Sequence, residues 1–182
     1  MPKARMVNKH RFQISSDGCA RLALILLWGA LAAATVAAPL LAAHSDSFLA
    51  AMIYLLLSPA CHQNPDRSFF LLGHPWAVCH RCSGIYLGLF WAAVFSSRLP
   101  SAPGSCSQRR TRVALGTLPI LVDSLLPFTG MWTNTPWSRF ATGFAFGVML
   151  SSLLVPGVSE LFSRCPRRVL LAHLHHSRGD LA

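Results

Sequence analysis

Residues 22–43 read LALILLWGALAAATVAAPLLAA. No charge interrupts the run. In helix these residues rise about 33 Å, enough to cross the roughly 30 Å hydrocarbon core of a bilayer. The run has no polar face to turn toward water, so its natural solvent is lipid. The remainder of the chain has the same character. Of 182 residues, 53% are apolar and only 12% are charged, against roughly 25% charged in soluble domains. Mean hydropathy is +0.45. A soluble domain this small has too much surface to hide so large an apolar fraction. The expected fold is an all-α integral membrane bundle.

Three further runs are expected to span, at about residues 77–97, 113–128 and 140–162. The second is short from Ser83 to Ser97, and borrows Trp76–Val78 to reach the needed length. Phe48–Leu57 is apolar but too short to cross. It is expected to be an interfacial or re-entrant helix ended by Pro59. The first run follows a basic leader, as a signal peptide would. It is long for a signal h-region, and Leu41-Ala42-Ala43 is only a fair cleavage site, so an uncleaved first span is expected. The chain then divides into a basic segment 1–21, a transmembrane domain 22–162 and a polar tail 163–182.

The charges give an orientation. The net charge is +10, but the basic residues sit in clusters between apolar runs. No aromatic-interleaved basic patch or nucleic-acid motif is present, so the expected partner is the bilayer and not nucleic acid. With four spans, thirteen of the sixteen Lys and Arg residues fall on one side. They lie in the leader, in the 98–112 link and in the tail. Cytoplasmic loops are enriched in Lys and Arg. Both termini are therefore expected in the cytoplasm of a cell with this protein in its cytoplasmic membrane. Residues 44–82 and 129–139 face outward, with Arg67, Arg81 and Arg139 as the only basic residues there. The Pro/Ser/Gly-rich stretch 99–108 reads as a flexible loop. His173, His175 and His176 read as part of a surface tail. Cys19, Cys106 and Cys165 read as isolated reduced thiols on the cytoplasmic side.

Unusual chemistry concentrates in residues 59–88, PACHQNPDRSFFLLGHPWAVCHRCSGIYLG. A CxxC pair, Cys79 and Cys82, follows Cys61-His62 and His74. Haem attachment of the c type is excluded, because Ser83 rather than His follows Cys82. A metal is the favoured reading, and zinc takes four such ligands. Cys61, Cys79 and Cys82 supply three. His62 is the favoured fourth and His74 the alternative. Neighbours such as Cys61 and His62 point apart on a helix or strand, so both reach one ion only from a turn. Two other readings stay open. Cys79 and Cys82 could cycle as a dithiol with Cys61 as exchange partner, since Arg81 and Arg67 favour thiolate. Alternatively, one disulfide pins the loop to the head of span two, in a structural or assembly protein.

A second group of polar residues sits at the same expected depth. Asp123 lies inside span three, where a carboxylate is costly and needs a partner. Arg81, Arg67 and Arg139 are the candidates, and Asn134 is placed to hydrogen-bond into the site. An Arg/Asp set of this kind can hold an anionic lipid headgroup, which keeps a headgroup-acting enzyme open as a function. Tyr86 lies one helical turn beyond Cys82. Trp76, Trp132 and Trp137 fit an interfacial aromatic belt. Gly84 with Gly88, and Gly143 with Gly147, form two Gly-x-x-x-Gly steps at matching depth. They are expected to pack spans two and four together.

The strings CHQ at 61–63, RSF at 67–69, Gly73 and C-x-RC-x-GIYLG at 79–88 are similar to those of one family. The similarity extends to Asp123, Asn134, Arg139, Thr142-Gly143 and Gly147, about residues 59–147. The chain resembles a family of small prokaryotic multi-pass membrane proteins known only as a domain of unknown function. In that family Asp123 is often followed by Gly, where this chain has Ser124. The resemblance implies a membrane location and no established reaction.

Overall fold

The computed structural model describes the backbone of residues 3–44, 47–96, 106–130 and 133–179. Side chains are described within residues 18–44, 48–96, 107–108, 110–130 and 133–160. The expectations for residues 99–105, for Trp132, for the Cys106 and Cys165 thiols and for the tail histidines lie outside those described residues.

Five helices and one hairpin follow in order. They are α1 (Lys3–Ala43), α2 (Ser47–Leu57), β1 (Ser68–Leu71), β2 (His74–Cys79), α3 (His80–Phe95), α4 (Cys106–Leu125) and α5 (Pro136–Gly179). Short 3-10 turns at Pro65–Arg67 and Leu126–Thr129 lead into β1 and out of α4. Among the described residues, three segments are long and apolar enough to cross a membrane: Gly18–Ala43, Arg110–Thr129 and Pro136–Glu160. Helix α2 has 11 residues, too few to span. It ends at Leu57, two residues before Pro59, in a turn where the N–H of Cys61 donates to the carbonyl of Leu57 at 3.1 Å.

Residues Trp76–Val78, expected to lengthen span two, form part of β2 instead. They can do so because the chain turns back on itself at Leu72-Gly73. Both residues have positive φ, 51° and 81°, which is the signature of a two-residue type I′ hairpin loop. The strands pair antiparallel, with Leu71 opposite His74 and Ser68 opposite Cys79. The register is irregular between Ser68 and Phe70, which frees Phe69 to point into an aromatic group. Its ring lies 4.3 Å from that of His80, 5.2 Å from Trp76 and 5.7 Å from Trp137. The hairpin therefore adds a small β element to the helical bundle and delivers Cys79 to the head of α3.

Helix α3 has 16 residues, about 24 Å of rise. It runs antiparallel to α1 along nearly its full length. At one end the Nε of Arg21 donates to the carbonyl of Ala93 at 3.0 Å, and its Nη2 donates to that of Val94. One side chain on α1 thus reaches two carbonyls in the last turn of α3, of which that of Ala93 also accepts from Ser96. At the other end Ala38 of α1 packs with Leu57, Cys61, Ala77 and Val78 in one buried cluster. Helices α3 and α5 run in the same direction and touch backbone to backbone. A methyl group added at Gly84 would overlap the Phe140 carbonyl, and one at Gly88 the Phe144 carbonyl. Reciprocally, methyls at Gly143 and Gly147 would overlap the carbonyls of Arg81 and Ile85. Helix α4 runs back along α5, with Gly116 against Met149. Its outer stripe, Leu115, Leu118, Leu121 and Leu125, is exposed, as a lipid-facing helix surface is.

Candidate metal centre

The three cysteines of the motif arrive from three pieces of local structure. Cys61 follows the turn after α2, Cys79 ends β2, and Cys82 lies in the first turn of α3. Their Sγ atoms all lie within 4.8 Å of one another. Cys61 is buried, and the other two are half-buried. None of the three is paired in a disulfide. The backbone N–H of Cys79 donates to the Sγ of Cys61 at 3.2 Å. Cys79 is the N-cap residue of α3, and a helix N-terminus also favours a thiolate. Its thiol is held well below the usual range, chiefly because Cys61 and then Cys82 hydrogen-bond to it, against an opposing effect of burial. Three sulfurs so placed form a soft donor set of the kind that takes zinc or another thiophilic metal.

His62 is exposed and lines the same cavity as the thiols. Its ring nitrogens are not in the group formed by the three sulfurs. Residues 61–64 adopt neither helix nor strand, so Cys61 and His62 are free of the face constraint that regular structure imposes. His74 opens β2 opposite Leu71 and is likewise outside the sulfur group. His80 sits between Cys79 and Arg81, and no spacing rule singles it out. It is 5% exposed, with its Nδ1 lacking a hydrogen-bond partner among the described residues.

The neighbouring Gln63 carries a positive φ of 50°, sparsely populated for a residue with a Cβ. Its Nε2 donates to the carbonyl of Tyr54 at 2.6 Å. The hydroxyl of Tyr54 in turn donates to the carbonyl of Pro75 in β2. Together they tie the Cys61 turn to both α2 and the hairpin. Gln63 sits in the CHQ string, but no spacing rule marks a glutamine as a turn former, so its role emerges only from the backbone.

The second polar group is drawn together at one level. Nη2 of Arg81 lies 2.6 Å from Oδ2 of Asp123, which joins α3 to α4. Asp123 is 6% exposed. Nδ2 of Asn134 donates to the carbonyl of Asp123 at 2.5 Å and approaches Oδ2 at 3.4 Å. A cavity of about 700 Å³ opens between this group and the thiols. Arg67, Arg81, Asn134 and Arg139 line it beside Cys61, Cys79 and Cys82. Ser124, Pro127 and Phe128, which the sequence does not mark, complete its far wall. Tyr86 lies away from the lining and packs on the Ala38–Val78 cluster.

Comparison with known proteins agrees with the membrane fold. The family described as "Predicted membrane protein (DUF2085)" matches residues 61–153, just over half the chain. An uncharacterised protein of Methanocaldococcus jannaschii is 30% identical over 114 residues, covering 63% of this chain and 73% of that protein. An uncharacterised protein of Methanothermobacter thermautotrophicus is 29% identical over 102 residues, covering 56% of this chain and 90% of that one. No solved structure matches the chain. The matched region begins at Cys61 and takes in the thiols, the Arg81–Asp123 pair and Arg139, and the chain belongs to this family of membrane proteins.

Proposed function

We propose that this protein carries a metal ion, with zinc favoured, on Cys61, Cys79 and Cys82 near the outer face of the membrane. The observation that carries the reading is the mutual approach of three sulfurs from three separate elements within 4.8 Å. Neither a hairpin nor a helix head needs three cysteines to fold. Thiolates packed this closely repel one another unless a cation or shared protons hold them. His62 is the favoured fourth ligand. It borders the same cavity, and its exposed side chain has room to rotate inward.

The location follows from the helix arrangement and the charges. Helix α3 serves as a fourth crossing, because it runs beside α1 from the Arg21 level to the Ala38 level. Four crossings return both termini to one side, the side rich in Lys and Arg. On this reading both termini are cytoplasmic and the cysteines face outward. The Arg21 level of α1 and the C-terminal end of α3 then lie at the cytoplasmic face.

Metal content and free thiols, measured together on protein purified in detergent, test the reading. About one zinc per chain, with three thiols unreactive until a chelator is added and metal lost in Cys79→Ser, is the expected result. Metal-free protein with a reducible Cys79–Cys82 bond would instead identify a thiol–disulfide exchanger. Three free cysteines around a helix N-terminus also suit that chemistry.

A further inference from the structure

The cavity beside the thiols gathers three guanidinium groups and a single paired carboxylate. Arg67, Arg81 and Arg139 line it. Asp123 compensates Arg81. Among the described residues neither Arg67 nor Arg139 forms an ion pair. Like charges converging on one concave site beside apolar helices cost free energy in the empty protein. Such an arrangement is stable when an anion is the usual occupant.

Two details show which anion. First, the Nε of Arg81 is buried and has no hydrogen-bond partner among the described residues, although Nη2 of the same group is engaged. A buried donor without a partner, on a residue that lines the cavity, marks a missing acceptor. Guanidinium forks match the paired oxygens of phosphate in particular. Second, Phe128 borders the cavity and is 88% exposed, and Trp137 is 70% exposed. A bare aromatic at the edge of a charged cavity, with a second two residues before the lining Arg139, is the surrounding of a membrane interface, where phosphates are carried on lipids.

We infer that Arg67, Arg81 and Arg139 form a binding site for a phosphate group, either a phosphodiester of a lipid headgroup or a soluble phosphate. This deepens the metal reading by naming the ligand class of the same cavity, but its anchors are the arginines and not the sulfurs. The phosphate lies between Arg67 and Arg139, with the Arg81 guanidinium beside it.

The test uses the full chain in detergent. Binding of inorganic phosphate and of short-chain phosphatidylglycerol is measured by calorimetry, with bound metal determined on the same samples. Saturable binding of at least one probe is expected, weakened roughly tenfold or more in R67Q and in R139Q. R139K, which keeps the charge, should retain part of it. Binding of phosphatidylglycerol alone assigns the lipid source, and binding of inorganic phosphate as well assigns the phosphate group itself. Retained metal with no saturable binding of either probe overturns the inference and leaves the metal reading standing. Binding that R67Q and R139Q leave unchanged also overturns it. Metal-free protein that still binds phosphate through these arginines upholds it while removing the metal reading.

Discussion

The backbone N–H of Cys79 points at the Sγ of Cys61, 3.2 Å away, across a separation of eighteen residues. This contact joins the turn after α2 to the last residue of the hairpin. It brings the third sulfur to a pair that the CxxC spacing alone provides. Everything the chain does between residues 61 and 79 serves that closure. A strained turn at Gln63, a 3-10 turn and a tight hairpin return the backbone to where it started.

The strain at Gln63 gives a stability test. Gln63→Ala keeps the unfavourable φ and loses the hydrogen bond to Tyr54. Gln63→Gly loses the same bond but is at ease with φ of 50°. The glycine variant is expected to be more stable than the alanine variant by about 1 kcal/mol in detergent unfolding. Equal stabilities would contradict the left-handed turn.

The Arg81–Asp123 pair is unequal in burial. The Asp123 side chain is 6% exposed and that of Arg81 is 28% exposed. Arg81→Met strands a buried carboxylate and is expected to cost roughly 3 kcal/mol. Asp123→Asn leaves a guanidinium that reaches the cavity, and is expected to cost roughly half as much. Melting temperatures of the two variants check the order. A reversed order would mean that Arg81 is the more deeply committed partner.

The α3–α5 contact depends on the absence of a side chain. Gly84→Ala and Gly143→Ala each drive a methyl into a backbone carbonyl, and each is expected to destabilise by about 1–3 kcal/mol. Gly157 has nothing within 4 Å of a Cβ. Gly157→Ala is expected to be neutral or stabilising by up to about 1 kcal/mol. Equal effects at Gly84 and Gly157 would contradict the close crossing.

Much of this fold is legible in the amino-acid sequence. Lipid tolerates so few backbone solutions that a run like 22–43 announces its own conformation. The Gly-x-x-x-Gly steps and the Asp inside span three carry similarly direct physical meaning, and the structure brings their residues together. The hairpin is not legible as such. The string FFLLGHPWAV is apolar apart from Gly73-His74 and shows no alternation, which leaves helix and strand unresolved. Its turn uses Leu72 at a positive φ, where turn chemistry leads one to expect Asn, Asp or Gly. The arginine-lined cavity is only half visible. The charge pattern puts three basic residues on one side, but it does not reveal that Pro127 and Phe128 close a wall around them.

Orientation has its own check at Cys19, which is exposed and lies two residues before Arg21, at the level of α1 assigned to the cytoplasm. A thiol reagent unable to cross membranes is expected to label Cys19 only after cells are opened. Labelling of Cys19 in intact cells would reverse the assigned sidedness and place the cysteine cluster inside.

X-ray absorption at the zinc edge, on protein purified without added metal, addresses the proposed metal centre most directly. A first shell of three sulfurs at about 2.3 Å and one nitrogen or oxygen at about 2.0–2.2 Å is predicted. Its sulfur count should fall to two in Cys61→Ser. A first shell of nitrogen and oxygen alone, or no zinc in the protein, would contradict a metal held by Cys61, Cys79 and Cys82.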